Sequence, residues 1–132
     1  MTGLENIDVD ITDWPVVCIR YGPFTDAEHE AHLPILLRLL DEHPGQFAAM
    51  LDIRNAEPLD ARQRKRVVEF WDTHREMLSE RVRGLTYVTD KSVLRGVITA
   101  LNWFVKYPCP AQVHKNVDEA HAWLRACMSD DG

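Results

Sequence analysis

The short apolar run Phe47–Ile53, with the polar cluster that follows it to Asp60, constrains this chain more than any other stretch. An apolar run of this length bounded by turn residues reads as a buried strand. Asp52, Arg54, Asn55, Glu57 and Asp60 then arrive together and lead into a basic helix. In open α/β sheets, ligands bind beyond the carboxyl ends of strands. Asp52, Arg54 and Asn55 are therefore the first candidate contacts for a ligand or partner.

The rest of the chain falls into place around that strand. Ile7, Val9 and Ile11 alternate with polar residues, which predicts a half-exposed edge strand. Asp13-Trp14-Pro15 interrupts it, and Val16–Tyr21 makes a second strand, joined to the first as a hairpin. Thr25 and Glu28 have capping-box spacing and open a helix with Leu33, Leu36, Leu37 and Leu40 on one face. Pro34 is expected to kink this helix, and His43-Pro44-Gly45 to stop it. Asp60 caps a second helix, with Val67, Phe70, Trp71, His74 and Leu78 along one face. Val82–Thr89 is the fourth strand. Asp90 or Ser92 caps a third helix running to about Lys106, with Leu94, Val97, Ile98, Leu101 and Val105 as its core stripe. Ala111–His114 is a short fifth strand, and Asn116-x-x-Glu119 opens a last helix. Residues 129–132 are expected to fray. The order β-β-α-β-α-β-α-β-α predicts an open, mostly parallel five-stranded α/β sheet with four helices.

A chain of 132 residues with 45% hydrophobic residues is one domain that needs no staple to fold. Its net charge of −6 argues against non-specific nucleic-acid binding, which depends on neutralising phosphates. The odd set Cys18, Cys109 and Cys127 contains no C-x-x-C pair and fits a reducing cytoplasm. The acidic N-terminus lacks the apolar core of a secretory signal, and no run approaches the ~18–20 apolar residues of a spanning helix.

The candidate contacts form two groups. Asp60 and Arg62 start the second helix, while Asp90, Lys91, Ser92 and Arg95 start the third. If the third and fourth strands are neighbours, these groups and Asp52 meet at one sheet edge. Helix N-termini flanked by Lys and Arg suit an anion. The plainer reading has the acids capping helices and pairing with the bases. Trp103 lies off the core stripe of the third helix, either packed beneath a loop or exposed as a partner contact. Packing is the reading favoured. Arg62-Gln63-Arg64-Lys65-Arg66 reads as a solvated face with a Lys65–Glu69 pair. His29 and His32 have i,i+3 spacing but no third ligand is evident, so they read as surface histidines and no metal site is expected. Ser79, Ser92 and Ser129 sit in no nucleophile elbow, and there is no glycine-rich phosphate loop. No enzymatic activity and no cofactor are expected.

Three stretches carry a family resemblance. They are Met50-Leu51-Asp52-Ile53-Arg54, then Thr89–Val97 continuing to Leu101-Asn102-Trp103-Phe104, and Asp118–Leu124. In this order and at these intervals, over about residues 5–126, the chain resembles the SpoIIAA-like, or STAS, domain family, and most nearly its stand-alone bacterial members of STAS/SEC14 type. The resemblance implies that fold and a role in binding. Anti-sigma-factor antagonists of the family are switched by phosphorylation of a serine in Asp-Ser-Gly. The matching position here reads Asp60-Ala61-Arg62, with no hydroxyl to phosphorylate. Two functions are expected in turn. The first is a cytoplasmic, non-catalytic regulatory or protein-interaction module, with a protein partner or a homodimer. The alternative is a carrier of a small apolar or lipid-like ligand with an anionic head, with at most peripheral membrane contact.

Overall fold

A computed structural model of the chain describes residues 4–92, 95, 96, 98, 99 and 106–129. Its strands are β1 (Ile7–Asp10), β2 (Val16–Tyr21), β3 (Phe47–Asp52), β4 (Val82–Val88) and β5 (Ala111–His114). The helices are α1 (Asp26–Glu42), α2 (Ala61–Thr73), α3 (Arg75–Arg81) and α4 (Val117–Ser129). The sheet runs β1-β2-β3-β4-β5. β1 pairs antiparallel to β2, and every later neighbour is parallel. The fold is the open, mostly parallel α/β sheet that the element order predicts, with the hairpin at one edge.

Strand alternation sorts side chains onto two faces. Val17, Ile19, Phe47, Ala49, Leu85 and Tyr87 build the larger core with Leu40, Trp71, Leu78 and Ile98. Val16, Ala48, Met50 and Val88 face the other way and pack on Ala120 and Leu124 of α4. A single described helix covers that second face, so its β1–β2 corner is polar. There Arg20 bridges Asp8 and Asp10 at 3.1 and 3.2 Å. Asp13 is held by both His121 and Arg125, which ties α4 to the hairpin turn.

The helix starts follow the sequence signals. Thr25 and Glu28 form a full capping box, as do Asp60 and Gln63. Glu28 also accepts from the Asn6 backbone N–H at 2.9 Å, which anchors the entry to β1. The bonds it accepts from Thr25 and Asn6 hold its carboxyl down to about 2. At its far end, α1 is closed by Arg81, whose guanidinium donates to the carbonyls of Leu40, His43 and Gly45 at 2.6–2.9 Å. Gly45, at φ 108°, makes the left-handed turn that L side chains avoid.

Pro34 lies inside α1, which runs unbroken to Glu42. One helix expectation is revised. The predicted second helix is two helices, broken at His74. The break falls at Thr73-His74, a pair of weak helix formers. Periodicity misses it because Trp71 and Leu78 are seven residues apart, two turns, so the apolar stripe stays in phase across it. Most of the predicted third helix, with Leu94, Val97, Leu101, Trp103 and Val105, lies outside the described residues.

β4 meets α4 closely at Gly84. A methyl added there would lie 2.8 Å from Cys127 Sγ and 3.1 Å from its Cβ. Gly84→Ala is expected to destabilise the protein by about 1–3 kcal/mol, the usual cost of overpacking. Urea unfolding checks this. Adding Cys127→Gly to the variant should recover part of the loss, because the clash is with that side chain.

Candidate functional site

The residues singled out by the sequence separate in space. β3 and β4 are neighbours with Asp52 opposite Val88, so Asp52, Arg54 and Asp90 do share one sheet edge. Asp52 is buried. It accepts from Arg54 Nη2 at 2.7 Å, from Nε at 2.9 Å and from the Arg54 backbone N–H at 3.2 Å. Burial pushes the Asp52 carboxyl up, but these Arg54 bonds outweigh it and hold the group below its ordinary value. The pair shapes the turn leaving β3.

Asn55, Asp90, Lys91 and Ser92 are exposed beside it. The Lys91 N–H donates to Thr89 Oγ1 at 3.1 Å. Arg95 is half-buried, with its Nε enclosed and unpartnered. Asp60 is occupied as the α2 cap. Arg62 stands apart from the edge and pairs with Asp26 of α1 at 3.5 Å. Trp103 lies outside the described residues. In the basic run, Lys65 pairs with Glu69 and Arg66 with Asp26.

The feature that the site reading missed lies on the opposite face of the sheet. Between β2–β4 and the helices α1–α3 is a cavity of about 140 Å³. Val17, Ile19, Ala49, Leu51 and Leu85 form its floor, and Leu33, Leu36, Val67, Phe70 and Trp71 form its roof. Among the described residues, Tyr21, His29, His32 and Glu57 bring polar groups to a wall that is mostly apolar. The expectation of surface histidines is wrong, since His29 and His32 are 3% and 1% exposed. A signal for this was present: His29, His32, Leu33, Leu36 and Leu40 follow one helical stripe. Glu28 and Glu30 beside them suggested a wet face.

The two imidazoles are part of a connected polar network. His32 Nδ1 lies 2.5 Å from the His29 carbonyl, and its Nε2 lies 2.9 Å from the Tyr21 hydroxyl. His29 Nδ1 lies 2.7 Å from Arg66 Nη1. Arg66 in turn grips both carboxylate oxygens of Asp26 at 3.0 and 3.2 Å. Phe24 stacks on His29 at 5.3 Å. Burial, reinforced by the charges of His32 and Arg66, lowers His29 to about 4. Burial likewise lowers His32 to about 4. The Tyr21 hydroxyl is pushed up by burial. At neutral pH these three groups are uncharged, which suits an apolar chamber. Deeper in the wall, the Tyr87 and Tyr107 hydroxyls meet at 2.9 Å.

Among the described residues, no group of three or more His, Cys, Asp or Glu could hold a metal ion. The Cys109 thiol is pushed up to about 12 by burial, which makes it a poor nucleophile. No described helix is long and apolar enough to cross a membrane. The arrangement can enclose a small apolar molecule and offer it hydrogen bonds from neutral partners.

The family model described as SpoIIAA-like matches residues 16–125. No curated protein matches the chain. Among solved structures, the chain is similar to an uncharacterized protein of the DUF3478 family with a SpoIIAA-like fold from Shewanella loihica PV-4. The two share 15% identity with a TM-score of 0.66, over 94% of this chain and 98% of the other. At that identity the likeness is one of fold.

Proposed function

The chain belongs to the SpoIIAA-like family, and from that premise we propose that it works by binding rather than catalysis, holding a small apolar ligand between its sheet and the helices α1–α3. The observation that carries this reading is the cavity of about 140 Å³ with neutral polar groups in its wall. An apolar cavity of roughly 150 Å³ is known to hold benzene. A single ring or a short chain therefore matches the space, and a whole phospholipid does not. The ligand is uncharged, because a buried anion would need a cation, and Arg66 is already committed to Asp26. The lipid-like ligand with an anionic head is thereby narrowed to a smaller, neutral molecule.

Native mass spectrometry of protein purified from its host tests this. A small bound mass, lost on mild activation, is the expected result. Displacing it should change tryptophan emission, because Trp71 lines the cavity. Unliganded protein alone, with emission unmoved by a panel of ring-sized and short-chain apolar compounds, would contradict the proposal.

A second reading concerns the surface. Exposed Asp90, Lys91 and Ser92 beside Arg54 support a contact site at the carboxyl edge of β3 and β4, for a protein partner or a second copy of the chain. Any regulation there operates without the family's serine switch at the start of α2, where Ala61 follows Asp60. Arg62 is left out of this surface because it pairs with Asp26. The odd set of cysteines, Cys18, Cys109 and Cys127, with no C-x-x-C pair, fits a cytoplasmic setting.

A further inference from the structure

The hydrogen-bond pattern around the cavity fixes both imidazole tautomers. A guanidinium only donates, so Arg66 Nη1 at 2.7 Å makes His29 Nδ1 an acceptor. His29 is neutral at pH 7, so its single proton resides on Nε2. The His29 carbonyl only accepts, so His32 Nδ1 carries the proton of that ring. His32 Nε2 therefore accepts from the Tyr21 hydroxyl, which commits the Tyr21 proton. One donor remains. His29 Nε2–H has no hydrogen-bond partner among the described residues, although His29 is 3% exposed. Among those residues, the one unpartnered side-chain nitrogen or oxygen sealed from open space is Arg95 Nε. His29 Nε2 thus borders open space, and His29 lines the cavity. A ligand that covers this donor without accepting from it leaves it unpaired, which is costly, and one that accepts avoids that cost.

We propose that the cavity selects a neutral carbonyl compound, a ketone, aldehyde or ester on a ring-sized or short-chain apolar body, and that His29 Nε2–H is the donor to its oxygen. This rests on the reading of the cavity as a ligand site and adds the ligand's chemical class to it. A carbonyl suits this donor because it accepts without bringing a proton that needs a partner of its own. Phe24, stacked on the imidazole, holds the ring in place.

Two measurements test this. Nitrogen-15 spectra of the imidazoles at pH 7.5 should show His29 as the neutral Nε2–H tautomer. The opposite tautomer, or an imidazolium, overturns the proposal. Cyclohexanone and methylenecyclohexane, nearly isosteric, are then titrated and their affinities corrected for partition out of water. The ketone is expected to bind at least fivefold more tightly. His29→Phe should bring the two probes within twofold while still binding the hydrocarbon. Equal binding to the native protein, or a preference that survives His29→Phe, overturns the carbonyl assignment and leaves the cavity reading standing. Failure of both probes to bind the native protein overturns both. If His29→Phe does not fold, the tautomer and the native-protein preference still decide.

Discussion

Acidification from pH 8 to pH 5 should cost about 2 kcal/mol of stability for each of His29 and His32. Both imidazoles titrate near 4 in the folded protein, against an ordinary value of 6.5. The unfolded chain therefore binds more protons than the folded one between those values. Stability is complete above about pH 6.5 and falls as the pH drops towards 4. Natural domains are stable by only ~5–15 kcal/mol, so a loss of this size from two groups is large. Burial is the main cause, and Arg66 is the nearest fixed positive charge opposing protonation. Asp26 offsets that charge only in part, because both of its oxygens are bonded to Arg66. The acids held below their ordinary values, among them Asp52 and Glu28, lose their contribution at lower pH and do not produce this slope. Urea midpoints measured every half unit check the prediction. His32→Gln should be less stable at pH 8 and should show a shallower decline between pH 6.5 and 4.5. A midpoint that stays flat from pH 8 to 5 would contradict the burial of these rings.

Ala49→Leu is expected to abolish ligand binding by filling the cavity from its floor. Ala49 lies in β3, is 8% exposed and lines the cavity. Leucine adds three carbons, each worth about 0.8 kcal/mol when buried in free space. The variant should therefore be as stable as the native protein, or up to about 2 kcal/mol more stable. Its affinity for ring-sized probes should fall at least tenfold. If the variant instead loses ~1–3 kcal/mol, the space is already full and the side chain is overpacked. Stability and affinity measured on the same sample separate these outcomes.

Local chemistry made the fold legible in the sequence. The alternation of Ile7 and Val9, the apolar run from Phe47, and the capping signals at Thr25 and Asp60 each act over a few residues. The structure places elements at all of them. The break at His74 escaped because an apolar stripe can stay in phase across two helices. The cavity escaped for a different reason. It is a shortfall of volume between a sheet face and three helices, and no single stretch encodes a missing volume. Its polar groups left a fainter trace. His29 and His32 share a helical stripe with Leu36, and Tyr21 ends the strand beside them, but the pairing of Tyr21 with His32 exists only once α1 has folded back on β2. The charged cluster at Asp52 and Arg54 was the easier feature to see. Its geometry shows a side chain supporting a turn, with exposed neighbours at the sheet edge.

A methyl-resolved NMR titration with toluene tests the binding claim most directly. The account predicts saturable shifts at the methyls of Leu36, Val67 and Leu85, which line the cavity, and their loss in Ala49→Leu. Exposed Val113 on β5 should stay unmoved. Cavity methyls that do not move at saturating toluene, or that move no more than Val113, would contradict it.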